Sequence, residues 1–433
     1  MYNLLLYIFQ FGVIVAAQFF AKVRTMLRGQ GIAVRYLQRH VDPNAEYVWF
    51  HAASLGEFEQ GRPIMEEYRR VYPNRKILLT FFSPSGYEVR KHYDGADLVC
   101  YLPIDTVANA RKFLRTVRPV EAFFIKYEFW YNYLHILRHR GVPVYSVSSV
   151  FRPDQVFFQW YGRQYRHVLK CFTHFFVQNE ESRELLASIG INNVDVTGDT
   201  RFDRVAAIAK QSRQIPVVET FLSKNSKCFI AGSSWLPDER IFTRYFREHP
   251  GWKMIIAPHV IAPLHLEQIK NLMPDLKVKF YTQLTAADHQ SLIDADVLVI
   301  DCFGLLSSMY KYGQIAYVGG GFGVGIHNLP EAAVWNMPVI FGPNNAKFIE
   351  AQELKECGGG LEIENYDDFC RIMDNFQASP ESLKKAADAA GNYVRSQSGA
   401  TEKLLTRLRK RAQKKIIFNC PLGTCAAFTK RSD

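Results

Sequence analysis

The sequence predicts an α/β protein built from two doubly wound, parallel-sheet domains. The chain has 433 residues, 48% of them hydrophobic, which is enough for two cores of ordinary size. Short apolar runs rich in β-branched residues alternate with stretches of helical period, a pattern typical of βαβ units. The alternation pauses at residues 211–226 and then starts again, so we expect a linker there.

The N-terminal residues have the composition of a membrane anchor. Residues 4–20 contain no charged side chain, and Lys22, Arg24 and Arg28 follow them. This length is close to the lower limit for crossing a bilayer core of about 30 Å, and the positive flank should face the cytoplasm. We therefore expect residues 1–28 to form an N-terminal anchor helix. Two alternatives stay open: a helix lying on the membrane surface, and a core helix of the first domain.

The first domain is predicted over residues 29–212. Its seven strand-like runs are YVWFHA, KILLTFF, DLVCYLP, EAFFIK, PVYSVSS, HFFVQN and VDVTGD. Because the carboxyl ends of parallel strands meet at one edge of a sheet, we expect three polar loops at strand ends to converge. These loops, residues 51–61, 80–86 and 126–132, contribute Glu57, Ser83, Ser85, Lys126 and Glu128.

Each of the two carboxylates in these loops has a purely structural alternative. Glu57 follows a strand at the start of a predicted helix, where the helix dipole favours a negative charge. Glu128 stands two residues after Lys126 and could be its ion-pair partner. A carboxylate at the mouth of a cleft between two domains can instead act as a general base.

The second domain is predicted over residues 213–400. Its six strand-like runs are CFIAGSS, KMIIAPH, VKFYTQL, DVLVID, IAYVGGG and PVIFGP, and residues 382–415 form one long basic helical stretch. In residues 316–343 a strand leads into five glycines, and a helix is predicted to begin near Pro330. Glycines let the backbone approach a ligand closely, and a helix N-terminus offers N–H groups to a phosphate.

The second domain is predicted to bind a nucleotide. Glu331 follows the glycines and can accept hydrogen bonds from a ribose diol; the alternative is a tight turn with a capping carboxylate. Two further strand-end loops offer the hydroxyl groups of Ser233 and Ser234 and the ring of His259. Since doubly wound sheets bind ligands beyond the carboxyl ends of their strands, we expect one nucleotide to contact all three loops.

The distribution of charge and the absence of several motifs limit the functions that the sequence allows. Residues 1–215 carry 28 Lys and Arg against 19 Asp and Glu, which suits a phosphorylated partner or an anionic membrane surface. Residues 401–433 are predicted to be a basic helix and tail. No nucleic-acid-binding motif accompanies the charge, so no nucleic acid partner is expected. The sequence also lacks a GxSxG elbow, an HExxH site and paired Cys/His spacing, so we expect neither a metal nor another cofactor.

Seven stretches of the chain resemble the 3-deoxy-D-manno-octulosonic acid (Kdo) transferases of Gram-negative lipopolysaccharide synthesis. They are HAASLGEFEQGRPI, TFFSPSGYE, KYEFWYN, VTGDTRFDR, AGSSWLPDE, APH and GGGFGVGIHNLPEAA…MPVIFGPNNAKF, in this order within residues 45–400. The resemblance implies a GT-B glycosyltransferase, with two Rossmann-like domains facing across a cleft. Its implied reaction moves Kdo from CMP-Kdo to a primary hydroxyl group of a lipid A precursor, on the cytoplasmic side of the inner membrane.

The positions that match the family's motifs imply a role for each candidate residue. Glu57 corresponds to the catalytic base and Glu128 to a second catalytic acidic residue, with Ser83, Ser85 and Lys126 on the acceptor side. The residues that correspond to the CMP-Kdo donor site are Ser233, Ser234, His259, Gly323, Gly325, Asn328 and Glu331. A single base with in-line displacement implies inversion at the anomeric carbon.

Three other functions remain open on the sequence. The first is another membrane-associated GT-B glycosyltransferase that uses a UDP- or ADP-sugar, which saturation by CMP rather than UDP or ADP would exclude. The second is a sugar-nucleotide epimerase of the GT-B fold, which needs neither a lipid acceptor nor an anchor. The third is a two-lobed binding protein without catalysis, in which Glu57→Gln would leave all activity intact.

Overall fold

The computed structural model describes residues 2–222, 226–323 and 325–419, and it divides into two compact units. The first unit comprises the chain up to Arg204 together with the segment from Gly399 onward, and the second comprises Val205–Ser398. The sequence-based boundaries lie after residues 212 and 400, eight and two residues later than these divisions. The C-terminal segment groups with the first unit. Residues 420–433 of the predicted basic tail lie outside the described residues.

The first unit contains a seven-stranded parallel sheet, as its seven apolar runs predict. The strands are β1 (Tyr47–Ala52), β2 (Lys76–Phe81), β3 (Leu98–Tyr101), β4 (Glu121–Ile125), β5 (Val144–Ser149), β6 (His174–Val177) and β7 (Val194–Val196). They lie in the order β3-β2-β1-β4-β5-β6-β7, and Val48 of β1 pairs with Ile77 on one side and Glu121 on the other. The winding of the chain therefore reverses between β1 and β4.

Both faces of this sheet are buried. The helices before and between its strands are α1 (Tyr2–Phe19), α2 (Ala21–His40), α3 (Leu55–Val71), α4 (Pro84–Arg90), α5 (Val107–Val117), α6 (Tyr131–His139), α7 (Arg166–Leu169) and α8 (Glu180–Ser188). After β7, α9 (Thr200–Lys210) leads from the first unit into the second. In β1, Trp49 belongs to the core on one face and Phe50 to the core on the other, and neither side chain is exposed. Burial on both faces explains why this strand is an apolar run without alternation.

The apolar N-terminal stretch forms α1, and α2 follows after a single residue, Phe20. Within the described residues, α1 is the one helix that is long and apolar enough to cross a membrane. Of its side chains only Leu6 and Ala17 are buried, so α1 is not a core helix of the first unit. Arg24, in the basic flank, donates from Nη2 to the carbonyl oxygen of Gln18 over 2.8 Å. The helical region continues in α2 beyond the predicted limit at residue 28.

The second unit contains a second seven-stranded parallel sheet. Its strands are β8 (Lys227–Ser234), β9 (Trp252–Pro258), β10 (Val278–Phe280), β11 (Val297–Val299), β12 (Ile315–Val318), β13 (Val339–Phe341) and β14 (Gly360–Glu362). Their order is β10-β11-β9-β8-β12-β13-β14, and Val318 of β12 pairs with Gly232 of β8. Six of these strands were predicted, and the three-residue edge strand β14 was not.

Nine helices of the second unit lie within the described residues. They are α10 (Pro216–Phe221), α11 (Leu236–Glu248), α12 (Pro263–Asn271), α13 (His289–Ile293), α14 (Leu306–Met309), α15 (Pro330–Ala333), α16 (Ile349–Cys357), α17 (Tyr366–Ala378) and α18 (Pro380–Gln397). The predicted linker therefore contains a helix, α10. A last helix, α19 (Ala400–Asn419), follows α18 along the chain.

The long basic helical stretch predicted over residues 382–415 is divided between two helices, α18 and α19. Gly399 separates α18 from α19 and has a φ of 100°, which a right-handed helix cannot contain. The carboxylate of Asp203 accepts hydrogen bonds from the backbone N–H groups of Gly399 and Thr401, the latter over 2.6 Å. A carboxylate at this position satisfies the free N–H groups of a helix start, and it fixes α19 to the first unit.

Candidate active site

Glu57 and Glu128 follow the two strands between which the first sheet reverses its winding. β1 ends at Ala52 and α3 begins at Leu55, so Glu57 lies in the first turn of α3. β4 ends at Ile125, and Glu128 lies in the loop between β4 and α6. Such a reversal leaves a crevice beyond the carboxyl ends of the strands, where doubly wound sheets bind ligands. The structure thus places both acidic residues at the position that ligands of such sheets occupy.

The carboxylate of Glu57 is half-buried and faces the turn after β1. Its Oε2 atom accepts a hydrogen bond from the backbone N–H of Ala53. Burial and then the negative charge of Glu128 raise the pKa of Glu57 to about 7, while the Ala53 N–H and the charges of His51 and Lys126 oppose the rise. A carboxyl group with a pKa near 7 can take a proton from a substrate at neutral pH.

The carboxylate of Glu128 is held by two side chains. Trp130 donates from Nε1 to Glu128 Oε2 over 2.7 Å, and Nε2 of His51 lies 3.1 Å from the same oxygen. The Glu128 side chain is 12% exposed, and that of His51 is fully buried. Nδ1 of His51 in turn lies 2.8 Å from Oγ1 of Thr80 in β2. This chain of hydrogen bonds fixes the orientation of Glu128.

The remaining candidates on the acceptor side lie in the same group of loops. Ser83 precedes α4, and its Oγ lies 2.7 Å from Oγ of Ser85. The backbone N–H of Ser83 donates to the carbonyl oxygen of Ala53 over 2.8 Å, which connects this loop to the turn that bears Glu57. Lys126 has a positive φ of 65° directly after β4. The structure brings these loops together, and the roles of the three side chains stay predictions.

The second unit has a corresponding reversal between β8 and β12, and the glycine-rich loop follows β12. Gly320 and Gly325 have φ values of 96° and 120°, which only glycine adopts without strain. A Cβ added to Gly319 would lie 2.4 Å from the carbonyl oxygen of Ser233, so the loop after β12 packs directly on the end of β8. Gly325 is buried and Gly323 is exposed, which leaves Gly323 accessible to a ligand.

Asp238 ties the glycine loop to the N-terminus of α11. Its Oδ2 accepts from the backbone N–H of Gly320 over 3.0 Å and from that of Trp235 over 2.9 Å. Its Oδ1 accepts from the hydroxyl group of Tyr317 over 2.8 Å. Asp238 has no exposed surface, and burial raises its pKa although these three donors oppose the rise. Since the carboxylate is fully used inside the protein, its role here is to position the loop.

Three rings form a stack beside this loop. The ring of His259 lies between Trp235, at a centroid distance of 4.7 Å, and His327, at 4.4 Å. Burial lowers the pKa of His259, and burial together with the charge of His259 lowers the pKa of His327 to about 4. Both imidazoles are therefore neutral near pH 7, and each carries one N–H donor.

The two serines at the end of β8 differ in their surroundings. The hydroxyl group of Ser234 is fully buried and donates to Oε1 of Glu239 over 2.8 Å. The same oxygen lies 3.1 Å from Nε2 of His265, whose proximity opposes the rise that burial causes in the pKa of Glu239. Ser233 is half-buried and has a φ of 52°. Of the two hydroxyl groups, that of Ser233 is the one near the surface.

Asn328 and Glu331 contact each other at the end of the glycine-rich stretch. Asn328 donates from Nδ2 to Oε1 of Glu331 over 2.7 Å, and Ser307 donates from Oγ to Oε2 over 3.1 Å. The helix predicted to begin near Pro330 does begin there, but α15 has only four residues. The phosphate site expected at the N-terminus of this helix stays a prediction.

Five residues of these two clusters were not assigned a role from the sequence. They are His51, Trp130, Trp235, Asp238 and His327. Each lies in a stretch in which a different residue was identified as the candidate. For one of the five, His51, the sequence contains an indication of its importance. His51 interrupts the apolar strand YVWFHA, and a polar side chain in a buried strand requires a partner. Its partner Glu128 lies 77 positions away, so only the sheet order reveals the pair.

Comparison with known proteins shows a sequence similarity to one enzyme family and gives a fold. A family model described as 3-deoxy-D-manno-octulosonic-acid transferase (kdotransferase) matches residues 30–204. The 3-deoxy-D-manno-octulosonic acid transferase of Aquifex aeolicus is 27% identical over 80% of this chain and 91% of its own length. The Haemophilus influenzae enzyme of the same description is 25% identical over 86% of this chain and 89% of its own.

Among solved structures, the UDP-GlcNAc 2-epimerase of Neisseria meningitidis bound to UDP-GlcNAc has a TM-score of 0.59 and 16% identity. It covers 84% of this chain and 100% of its own, a likeness that concerns the fold alone. Two parallel-sheet α/β units of this kind constitute the GT-B fold. The protein is therefore a glycosyltransferase of the GT-B fold whose sequence is similar to those of 3-deoxy-D-manno-octulosonic acid transferases over most of its length.

Proposed function

We propose that the protein transfers Kdo from CMP-Kdo to a primary hydroxyl group of a lipid A precursor, with inversion at the anomeric carbon. The observation that supports this most is the half-buried carboxyl group of Glu57, with a pKa of about 7, beside Glu128 at the reversal of the first sheet. In a Kdo transferase, a group with these properties suits the general base of the reaction.

In the proposed reaction the first unit activates the acceptor. A sugar hydroxyl group has a pKa far above 7, so it needs a base that removes its proton as the new bond forms. The acceptor oxygen bonds to the anomeric carbon of Kdo, the bond from that carbon to the phosphate oxygen breaks, and the proton passes to Glu57. Glu128, held by His51 and Trp130, keeps the pKa of Glu57 high enough for this step.

The second unit holds the donor in this proposal. Neutral His259 and His327 donate hydrogen bonds to the phosphate of CMP, and the exposed Gly323 lets the backbone approach it. Glu331 accepts from the ribose hydroxyl groups, and Asn328 orients it. Hydrogen bonds of this kind stabilise the negative charge that CMP gains as it leaves. Ser234 contributes through its backbone, because its hydroxyl group is engaged with Glu239.

The apolar helix α1 is the proposed attachment to the inner membrane, with both units on the cytoplasmic side. Its exposed apolar side chains include Leu4, Phe11 and Phe19. The basic flank after α1 and the excess of basic residues up to position 215 suit an anionic membrane surface and a phosphorylated lipid acceptor.

The test is incubation of the full chain with CMP-Kdo and a tetraacylated, bisphosphorylated lipid A precursor, followed by mass analysis of the lipid product. We expect the mass of the lipid to increase by whole Kdo residues, and CMP to inhibit the reaction where UDP and ADP do not. Transfer from a UDP- or ADP-sugar instead, or conversion of a sugar nucleotide without any acceptor, would overturn the proposal.

A further inference from the structure

The first unit contains a cavity of about 510 Å³ that the proposed reaction does not use. Its volume lies in the range of about 300–1,000 Å³ that is usual for small-ligand sites. The lining comes from α1, from the loop after β4, from α6 and from the segment 150–170, and most of it is apolar or aromatic. The lining residues that matter below are Tyr2, Phe129, Tyr131, Val156, Phe157 and Tyr165.

The cavity adjoins the candidate acceptor side through a single loop. Phe129 lines the cavity, and the residue before it, Glu128, lies against His51. The residue after it, Trp130, donates the hydrogen bond that holds Glu128. Consecutive residues of one loop therefore belong in turn to the acidic cluster and to the cavity wall. A ligand that fills the cavity therefore contacts a residue next to Glu128 in the chain.

The cavity also adjoins the apolar N-terminal helix. Tyr2 contributes to its wall, and the Tyr2 hydroxyl group donates to Oδ2 of Asp105 over 2.7 Å. Asn132, at the start of α6, donates from Nδ2 to Oδ1 of Asn3 over 2.8 Å. Two hydrogen bonds thus fix the first turn of α1 beside the cavity. An apolar ligand that leaves a membrane along α1 would reach this cavity at the end of the helix.

The segment 150–170 on the other wall has the composition of a membrane-surface segment. Trp160 is 88% exposed and Tyr161 is 59% exposed, and such rings prefer the boundary between lipid and water. The segment carries four basic residues, Arg152, Arg163, Arg166 and Lys170, against the single acidic residue Asp154. Basic side chains at this boundary attract lipid phosphates.

Together these observations point to one occupant. We propose that the cavity binds an acyl chain of the lipid acceptor, and that the bound chain positions the acceptor's sugar hydroxyl group at Glu57. This inference rests on the proposed function, because it assumes that the acceptor is a lipid. Each methylene group that enters such a cavity strengthens binding about fourfold. The cavity therefore selects acylated acceptors and lowers their KM.

A kinetic test uses Val156→Trp, which fills part of the cavity with apolar side chain. The full chain is assayed with a tetraacylated, bisphosphorylated lipid A precursor and with the same phosphorylated disaccharide after complete deacylation. We expect the variant to raise the KM for the acylated acceptor at least about tenfold and to leave the deacylated one unchanged. The matched control is Val89→Trp, at an exposed position of α4, which should alter neither KM. Equal effects on both acceptors would overturn the proposal.

A binding test separates this inference from the proposed function and needs no substitution. A C12 acyl probe with a photoreactive group at its terminal carbon is cross-linked to the wild-type full chain in lipid vesicles, and the labelled peptides are identified by mass spectrometry. We expect labels at Tyr2 and at residues 156–165. Labels confined to other regions would overturn the acyl site even if Kdo transfer occurs. Labels in the cavity without Kdo transfer would overturn the proposed function and leave the acyl site standing.

Discussion

Nε2 of His51 lies 3.1 Å from Oε2 of Glu128, although the two residues are 77 positions apart in the chain. The parallel pairing of β1 with β4 brings them together, with His51 opposite Phe124. Nδ1 of His51 also lies 3.2 Å from the carbonyl oxygen of Thr80, so both ring nitrogens face oxygen acceptors. The negative charge that acts on Glu57 is therefore fixed in place by the sheet itself.

The first prediction concerns the general base. Glu57→Gln keeps the size of the side chain and an oxygen that can accept from Ala53, but it cannot take a proton. We expect it to reduce kcat at least about a hundredfold, the usual scale for a general base, and to leave the affinity for CMP-Kdo unchanged. Steady-state kinetics and calorimetric titration with CMP measure the two effects.

A matched control exists on the same helix. Glu67 also lies on α3 and pairs with Arg70 at the helix surface. Glu67→Gln should therefore leave both kcat and CMP affinity within about twofold of the wild type. An unchanged kcat in Glu57→Gln would contradict the role of Glu57 as base.

The second prediction concerns the pH dependence of the reaction. Because the active form of Glu57 is ionised and its pKa is about 7, kcat/KM should rise with pH and level off above pH 7. The negative charge of Glu128 is one cause of this high pKa. Glu128→Gln removes that charge, so the rise should move to lower pH, whatever happens to the maximum rate. If Glu128→Gln lowers the maximum of kcat/KM but leaves the midpoint of its pH profile unchanged, Glu128 does not act on Glu57 through its charge.

The third prediction concerns stability. Glu57 has a pKa of about 7 in the folded protein and about 4.3 in an unfolded chain. Since the folded value is raised, the contribution of Glu57 to stability is complete below pH 4 and is lost as the pH rises through 7. Because the carboxylate is half-buried, we expect this loss to be about 2 kcal/mol.

The glutamine side chain of Glu57→Gln does not titrate, so the variant should not lose this stability as the pH rises. Thermal unfolding of wild type and variant is compared at pH 4.5 and at pH 8. The variant should have the higher Tm at pH 8, and the difference between the two proteins should shrink at pH 4.5. A difference in Tm that is the same at both pH values would contradict a raised pKa in the folded state.

Most of the fold could be predicted because a buried parallel strand leaves a local signature. The run YVWFHA coincides with β1, and the other six runs of the first unit each contain a strand. β14 has three residues, begins at the last of three consecutive glycines and is too short for any period to show. The break at Gly399 depends on Asp203, nearly 200 positions earlier, so the surrounding helical pattern hides it.

The site residues, too, could be predicted where the indication is local in the sequence, and not where it depends on contacts between distant positions. Glu57, Ser83 and the glycine-rich loop stand at strand ends, where sequence order alone marks them. Asp238 could not be identified in this way, because an acidic residue in the first turn of a helix usually only caps it. Its contacts with Gly320 and Tyr317 join the first turn of α11 to β12 and the loop after it, about 80 positions further along the chain.

The fourth prediction tests this position of Asp238. Asp238→Asn replaces one acceptor oxygen by an N–H donor, so it cannot accept from Gly320, Trp235 and Tyr317 together. We expect a loss of about 1–3 kcal/mol in stability, and a weaker affinity for CMP because the glycine loop is no longer held. Tyr317→Phe removes one of the three donors and should cost about 1 kcal/mol. Equal CMP affinity in wild type and Asp238→Asn would contradict a positioning role for Asp238.

The fifth prediction concerns the ribose contact of Glu331. Hydrogen bonds to a charged group contribute about 1.5–3 kcal/mol, so Glu331→Ala should weaken CMP binding by about 10- to 100-fold, with a smaller effect on kcat.

A control is needed because Glu331 also accepts hydrogen bonds from Asn328 and Ser307, and its removal disturbs these neighbours. Ser307→Ala removes one of these neighbouring bonds and leaves the carboxylate, so it should change CMP affinity less than threefold. Calorimetric titration with CMP and with cytosine alone completes the test, because only the nucleotide contains a ribose. A Glu331→Ala variant that loses stability but binds CMP as tightly as the wild type would contradict the ribose contact.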